Sequence, residues 1–270
     1  MKTPNIVVVA SLAAATLLTM SLLVTTATRS ASAPFDSSAG PLDVDTVARG
    51  LEHPWALAFL PDGKMLVTER PGRMRIVTRD GQVSVPLAGV PKPKTGGQAG
   101  LLDLALDKDF ADNRTLYFCF TSDTGGNASV ARAQLDEAAL RLEAVKVIFV
   151  QQGPGGAANH GCRIAQAPDG NLFVTLGDHF GPRDEAQNLA TDNGKLIRIA
   201  PDGSIPPDNP FVGRAKARPE IWSYGHRNAQ GLAFNPASGE LWEIEHGPRG
   251  GDEVNIIGKG KNYGWPVIGY

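Results

Sequence analysis

Four groups of polar residues lie in loops beside apolar segments, and their side chains could carry chemistry. The groups are Gln98, Asn159 with His160, His226 with Arg227 and Asn228, and Asp252 with Glu253. A histidine such as His160 suits general-base catalysis because its pKa lies close to neutral pH. The amide of Gln98 can fix a polar edge of a ligand, and the planar guanidinium of Arg227 can bind an anionic or carbonyl-bearing one. Singly, each group also fits a structural role, so only the groups together indicate a site.

The segment EHGPRGGDEVN is typical of a site for a hard cation. The carboxylates of Asp252 and Glu253 adjoin a glycine-rich stretch, and the backbone carbonyls of Gly247 and Pro248 are free to face a cavity. Carboxylates together with backbone carbonyls are the ligands that calcium takes in proteins. The segment therefore predicts a calcium site.

Several motifs of other enzyme classes are absent from the sequence. It contains no GxSxG nucleophile elbow, no GxxxxGK[ST] loop and no HExxH pair. The segment GGQAG lacks the strand–GxGxxG–helix setting of a dinucleotide site, which argues against nicotinamide cofactors. The formal net charge of −2 provides no electrostatic reason to expect nucleic acid as a partner.

A recurring hairpin pattern indicates an all-β fold. Residues 55–70, 162–178 and 231–247 each read as an apolar strand, a turn with Pro and Gly, and a second apolar strand, and 100–120 is a version with a longer loop. We expect outer strands at residues 73–81 and 195–203, which would complete units of four strands. Such repeats favour a β-propeller over its competitor, a β-sandwich.

The N-terminal residues predict export. Lys2, an apolar run from Ile6 to about Val24 and a final ASA form a secretory signal peptide over residues 1–33, with an uncleaved membrane anchor as the alternative. A linker over residues 34–43 would then precede the propeller at 44–270. We expect a periplasmic or secreted protein, with membrane contact only if the first segment is uncleaved.

Two cysteines, Cys119 and Cys162, occur without any spacing typical of a zinc site. Export permits a disulfide between them, but a single distant pair does not form the framework of a small secreted domain. A bridge and two separate thiols both remain open.

In this order, the segments resemble the soluble glucose/sorbosone dehydrogenase family, whose members oxidise aldose sugars with pyrroloquinoline quinone (PQQ). The resemblance is carried by GLEHPWALAFLPDGKMLVTERPGRMRIV, GGQAGLLDLALDKDF, RIAQAPDGNLFVTLGD, NLATDNGKLIRIAPDGSIPPDNPF, SYGHRNAQGLAFNP and EHGPRGGDEVNII with GKNYGWP. It covers nearly everything after about residue 44. It implies a six-bladed β-propeller with PQQ flat over the central mouth. Because this chain holds only four to five units, we expect a ring that is incomplete at the C-terminus.

The resemblance also implies roles for individual residues. These are PQQ binding by Gln98, Arg227 and Asn228, binding of a catalytic calcium by the carbonyls of Gly247 and Pro248, binding of a separate structural calcium by Glu253 and Tyr263, and general-base catalysis by His160. The implied reaction oxidises the anomeric carbon of an aldose to a lactone. Hydride passes to the quinone, and an external acceptor then takes the electrons.

Two adjacent residues compete for the position of the general base. In the family the active histidine stands four residues before an arginine, whereas here His160 stands three residues before Arg163 and Asn159 stands four before it. In an extended segment, a shift of one residue turns a side chain to the opposite face. We expect His160 to face the cofactor, with Asn159 as the alternative, which could not act as a base.

Two other functions compete with the dehydrogenase. One is a lactonase-type hydrolase that uses calcium to activate water, and the other is a propeller that binds a ligand without catalysis. Gln98 with the Arg227–Asn228 pair favours a bound planar quinone over the hydrolase. The clustering of polar groups on one face argues against the binding module.

Overall fold

The computed structural model describes residues 36–123 and 125–268, which are built almost entirely of antiparallel β-strands. The predicted signal peptide lies outside the described residues. Within those residues, no helix is long and apolar enough to cross a membrane. Residues 36–46 belong to a short separate unit, and everything below concerns the unit that begins at Val47.

Four sheets follow one another along the chain. The first contains β1 (Pro54–Phe59), β2 (Met65–Glu69) and β3 (Arg73–Val77). The second contains β4 (Leu101–Leu106), β5 (Thr115–Thr121), β6 (Ala128–Asp136) and β7 (Arg141–Val150). The third contains β8 (Gly161–Gln166), β9 (Leu172–Leu176), β10 (Lys195–Ile199) and β11 (Ile221–Tyr224). The fourth contains β12 (Ala229–Phe234), β13 (Leu241–Glu245) and β14 (Glu253–Ile256), and two short helices, α1 (Phe110–Asn113) and a 3-10 helix (Arg183–Gln187), lie in loops.

The predicted hairpins are confirmed, and the turn residues explain them. In the first hairpin, the Leu60 amide donates to the Lys64 carbonyl at 2.8 Å, and the Asp62 carboxylate accepts from the Lys64 amide at 3.0 Å. Gly63 closes the turn with a φ of 82°, which only glycine adopts freely. The same bonds recur at residues 167–171. Strands β3 and β10 begin the two predicted outer segments.

Each sheet packs against the next one in the chain. One apolar core joins the first and second sheets, another joins the second and third, and a third joins the third and fourth. The inner strands β1, β4, β8 and β12 also contact their neighbours in that order. This arrangement of consecutive blades confirms the all-β prediction. The count of six blades and the incomplete C-terminus remain predictions.

Each inner strand contains a one-residue bulge near its start. The pairing shifts between Pro54 and Ala56 in β1, between Leu101 and Leu104 in β4, between Gly161 and Ile164 in β8, and between Ala229 and Gly231 in β12. A bulge re-aims the side chains beside it, and bulges are frequent next to active sites. The four bulges therefore mark one end of the sheets as the place to look for a site.

Cys119 and Cys162 form a disulfide, which decides the question that the sequence leaves open. The bridge joins β5 to β8 with a Cα–Cα distance of 6.1 Å. Both residues are completely buried in the core between the second and third sheets.

Arg163 ties the four inner strands together. Its guanidinium donates to the Asp103 carboxylate on β4 at 3.0 Å and to the Gln230 carbonyl on β12 at 2.6 Å. It also lies over the Trp55 ring of β1, 4.3 Å from the ring centre. Burial raises the pKa of Asp103, and the charge of Arg163 opposes that rise. Asp103 also accepts the Ile164 amide at 2.8 Å, so the pair holds the local backbone as well.

Replacing Arg163 by Met should therefore destabilise the whole unit. The substitution leaves the buried Asp103 carboxylate without its counter-charge, and we expect the free energy of unfolding in urea to fall by about 3 kcal/mol. The double variant Arg163→Met/Asp103→Asn should recover part of this loss. Arg141→Met, on an exposed outer strand, serves as the control and should change stability by less than about 0.5 kcal/mol. An equally small effect of Arg163→Met would contradict the assigned role.

Candidate active site

A cavity of about 440 Å³ opens where the four inner strands begin. The residues that line it come from all four sheets and include His53, Trp55, Gln98, His160, Asn228 and His246. Three of the sequence-predicted site residues, Gln98, His160 and Asn228, therefore meet in one place. They are far apart in the chain and come together because each lies at the start of an inner strand.

His160 is buried at this cavity with both ring nitrogens unused. The side chain is 2% exposed, and neither ring nitrogen makes a hydrogen bond of ordinary geometry within the described part of the chain. Burial lowers the pKa of His160 to about 4, and the Ala157 backbone, which acts to raise it, does not offset burial. The ring of His179 meets it edge-on at 5.0 Å. The imidazole is thus neutral near pH 7 and able to accept a proton.

Asn159 faces away from the cavity. Its side-chain amide donates to the Asp178 carboxylate at 2.9 Å, and its backbone amide donates to the Gln98 side-chain carbonyl at 2.7 Å. Of the two candidates for the base, the structure thus turns His160 toward the cavity. The catalytic role of His160 remains a prediction.

Gln98 and Asn228 each use their carbonyl oxygen to hold the His160 loop. The Gln98 oxygen accepts from Asn159, which leaves the Gln98 amide nitrogen as its free donor at the cavity. The Asn228 oxygen accepts from the Gly161 amide at 3.2 Å and from the Gln230 side chain at 3.0 Å. Both residues therefore combine a structural bond with an orientation suited to contact a ligand.

Arg227 lies in a second, smaller pocket. Its guanidinium donates to the His246 carbonyl at 3.0 Å and lies 5.5 Å from the centre of the Trp265 ring. His246 lines both this pocket and the larger cavity. The predicted metal residues Gly247, Pro248 and Glu253 line this second pocket. Arg227 and Asn228 are neighbours in sequence, but successive side chains of an extended segment point to opposite sides. The structure thus places Arg227 and Asn228 in different pockets.

The second pocket is rich in oxygen atoms at Gly247. A β-carbon added there would lie 2.1 Å from the Gly250 carbonyl oxygen and 2.6 Å from that of Gly251, so only glycine fits. Backbone carbonyls are suitable donors for a hard cation. The carbonyl oxygens found here belong to Gly250 and Gly251, and binding of calcium by the carbonyls of Gly247 and Pro248 remains a prediction.

Tyr263 is not joined to Glu253 by any described contact. Its hydroxyl donates to the Ile256 carbonyl at 2.7 Å and accepts from the Gly258 amide at 2.8 Å. The Glu253 carboxylate instead accepts from the Asn255 side chain at 3.1 Å. A shared calcium at Glu253 and Tyr263 remains a prediction.

Sequence reasoning missed a buried acidic cluster behind Arg227. Glu245 accepts the Arg227 backbone amide and contacts a ring nitrogen of His226 at 3.2 Å. Burial works against charging His226, but the bond to Glu245 and the charges of Glu245 and Glu243 together outweigh it and raise the pKa of His226. Glu243 is fully buried, and burial raises its pKa to about 7. The alternation in LWEIE, which puts both glutamates on one face of a strand, could have revealed the cluster.

His53 and His246 were also missed as residues of the cavity. His53 precedes β1 as His160 precedes β8 and Asn228 precedes β12. An alignment of the repeats on their inner strands could therefore have identified His53. His246 follows β13, and its segment showed nothing to distinguish it from a loop residue.

Stability should depend on pH through His160. Burial in the folded protein lowers the pKa of His160 from the ordinary value of about 6.5 to about 4. Below pH 6.5 the unfolded state takes up a proton at His160 more readily than the folded state. The contribution of His160 to the free energy of unfolding is therefore complete above pH 6.5 and declines as the pH falls toward 4. We expect the free energy of unfolding of the wild type to drop between pH 7 and pH 5 by about 2 kcal/mol more than that of His160→Gln. Urea unfolding at both pH values measures this difference, and parallel losses in the two proteins would contradict it.

Comparisons with known proteins show which family the chain resembles. The family model described as Glucose / Sorbosone dehydrogenase matches residues 51–270. Aldose sugar dehydrogenase YliI of Escherichia coli is 44% identical over 231 residues, which cover 84% of this chain and 62% of that protein. A crystal structure of a glucose dehydrogenase is similar with a TM-score of 0.79 and 50% identity, covering 82% of this chain and 65% of the other.

A third similar protein has its cofactor bound. The PQQ-bound form of aldose sugar dehydrogenase from Streptomyces coelicolor aligns with a TM-score of 0.74 and 36% identity, covering 83% of this chain and 65% of that one. The chain spans less than two thirds of the length of each of these three proteins. The extent of the family match and the identity of these relatives lead to one conclusion. The chain belongs to the glucose/sorbosone dehydrogenase family.

Proposed function

We propose that this protein is a PQQ- and calcium-dependent dehydrogenase that oxidises aldose sugars at the anomeric carbon to lactones. One observation carries the proposal. His160 is buried at a cavity beside Gln98 and Asn228, and neither of its ring nitrogens has a hydrogen bond of ordinary geometry to the described part of the chain. Buried nitrogens without partners are costly to retain, and a group that receives a proton from a ligand accounts for them.

The cavity suits PQQ, and the neighbouring pocket suits calcium. The free amide nitrogen of Gln98 and the side chain of Asn228 would contact the quinone. The guanidinium of Arg227 would face its carboxylate edge, for which a planar fork of donors is well matched. The carbonyls of Gly247 and Pro248 would bind the calcium, and Glu253 with Tyr263 would bind a second, structural ion. The PQQ-bound relative supports the choice of cofactor.

His160 would act on the sugar. Bound PQQ supplies the acceptor for the hydride of the anomeric carbon. His160 takes the proton from the anomeric hydroxyl, so that the carbon becomes the carbonyl carbon of the lactone. The cavity walls formed by Trp55 and Leu102 limit water around the imidazole, which keeps it neutral until the sugar binds.

The partners follow from this reaction. An aldose is the substrate, and an external electron acceptor must reoxidise the cofactor. Export through the N-terminal segment would bring the protein to the periplasm or the medium, where sugars and acceptors are accessible.

Dye reduction tests the proposal. The full chain is treated with EDTA and then mixed with an aldose and a redox dye, with PQQ and calcium added singly and together. We expect reduction only when both are present, and His160→Ala should lower kcat by about 1000-fold, as loss of a general base does. Binding of PQQ, measured by its absorbance, should persist in this variant.

Asn171→Ala is the control for His160→Ala, because Asn171 lies in the turn at the opposite end of β8. This variant should keep wild-type activity. Dye reduction that survives His160→Ala would overturn the base assignment. Hydrolysis of lactones with calcium alone, without PQQ, would favour the hydrolase instead.

Replacing Arg227 by Lys should weaken cofactor binding. A lysine keeps the charge but loses the planar pair of donors, and we expect the Kd for PQQ to rise about tenfold. A titration of PQQ absorbance measures it, with Arg141→Lys as the matched control. An unchanged Kd would show that Arg227 does not contact the cofactor.

A further inference from the structure

The bulge in β8 differs from the other three bulges in its backbone conformation. Pairing with β9 shifts between Gly161 and Ile164, so that Cys162 and Arg163 lie opposite the single residue Thr175. Cys162 has a φ of 75°, in the left-handed region that favours glycine. Within the described residues, the bulges of β1, β4 and β12 hold no residue of this kind.

This bulge determines where His160 points. A bulge inserts one residue and changes which face the preceding side chains occupy. Here His160 lines the cavity, while Arg163 reaches Asp103 on the neighbouring inner strand. If the bulge relaxed into regular pairing, the side chains on one side of it would change face. His160 therefore depends on a conformation that a cysteine disfavours.

The disulfide is attached to the residue in this conformation. Cys162 is bonded to Cys119 on β5, in the adjacent sheet, and both residues are completely buried. The bond directs the β-carbon of Cys162 toward β5 and into the core between the two sheets. It opposes the relaxation that would bring Cys162 back to an extended conformation. Other bonds, such as that from the Gly161 amide to Asn228, hold the backbone but not this side chain.

We propose that the Cys119–Cys162 disulfide is a positioning device that keeps the β8 bulge in its left-handed form and thereby keeps His160 facing the cavity. Both cysteines are completely buried and neither lines the cavity, so they act through His160. The proposal rests on the proposed function only for its effect on catalysis. The effect on the position of His160 is independent of the cofactor.

A glycine rescue tests the proposal. Cys119→Ala removes the bond and leaves a non-glycine residue at the strained position, whereas Cys119→Ala/Cys162→Gly removes the bond and the strain together. We expect kcat for dye reduction to fall on the order of 10- to 100-fold in the first variant, since a displaced catalytic group costs this much. In the second variant kcat should stay within about threefold of the wild type. KM should change little in either.

Histidine NMR gives a readout that needs no activity. In the wild type and the glycine variant, the His160 ring signals should titrate near pH 4. In Cys119→Ala they should titrate closer to 6.5, because the ring leaves its buried position. Cys119→Ala/Cys162→Ala repeats the test without a free thiol and should behave like Cys119→Ala.

Each other outcome overturns the proposal. Equal titration of His160 in the alanine and glycine variants would show that the disulfide does not position it. Equal loss of activity in both would assign the bond to stability alone. If neither the alanine variants nor the glycine variant folds, the disulfide stabilises the whole fold and does not specifically position His160. If neither the wild type nor any variant reduces the dye, the proposed function is wrong. The NMR comparison still decides the role of the disulfide in that case.

Discussion

The guanidinium of Arg163 lies where the four sheets meet, bonded to Asp103 of β4 and to the Gln230 carbonyl of β12, and packed on Trp55 of β1. The Asp103 carboxylate is buried and needs a counter-charge, so its pairing with Arg163 favours the arrangement in which these strands meet. The start of every inner strand is thereby fixed relative to the others. The cavity lies at the starts of these strands, so their arrangement around Arg163 sets its shape.

Two local features of the site are energetically unfavourable. Neither ring nitrogen of the buried His160 has a hydrogen-bond partner of ordinary geometry among the described residues, and Cys162, two residues further on, has a left-handed backbone. Both features cost stability, and Cys162 directly precedes Arg163, which joins the inner strands. Strain of this kind persists only where the surroundings determine the structure more firmly than the residue opposes it. The disulfide and the bonds to Asn228 and Gln98 supply that support.

Two pockets with different chemistry meet at His246. The larger cavity offers a neutral imidazole and amide groups, whereas the smaller one offers a guanidinium and oxygen donors. Behind the smaller pocket, the Glu245 carboxylate accepts the Arg227 backbone amide and also contacts a ring nitrogen of His226. Arg227 and Glu253 line the smaller pocket, whereas His160 lies at the larger cavity, which Arg70 also lines.

Much of the architecture was readable from local sequence, because a Pro-Asp-Gly turn between two alternating apolar strands is determined by short-range sterics and patterning. The hairpins at residues 55–70 and 162–178, the outer strands β3 and β10 and the loop positions of Gln98, His160 and Asn228 all follow from it. Whether His160 or Asn159 faces the cavity depended on the backbone at the start of β8, where the bulge lies, and whether Cys119 bonds to Cys162 depended on the packing of the second sheet against the third. The placement of Arg227 in a different pocket from Asn228 and the burial of Glu243 depended on contacts between sheets. Such contacts join residues far apart in the chain, so the sequence by itself determined the strands and turns, and only the packing of the four sheets decided which side chains meet.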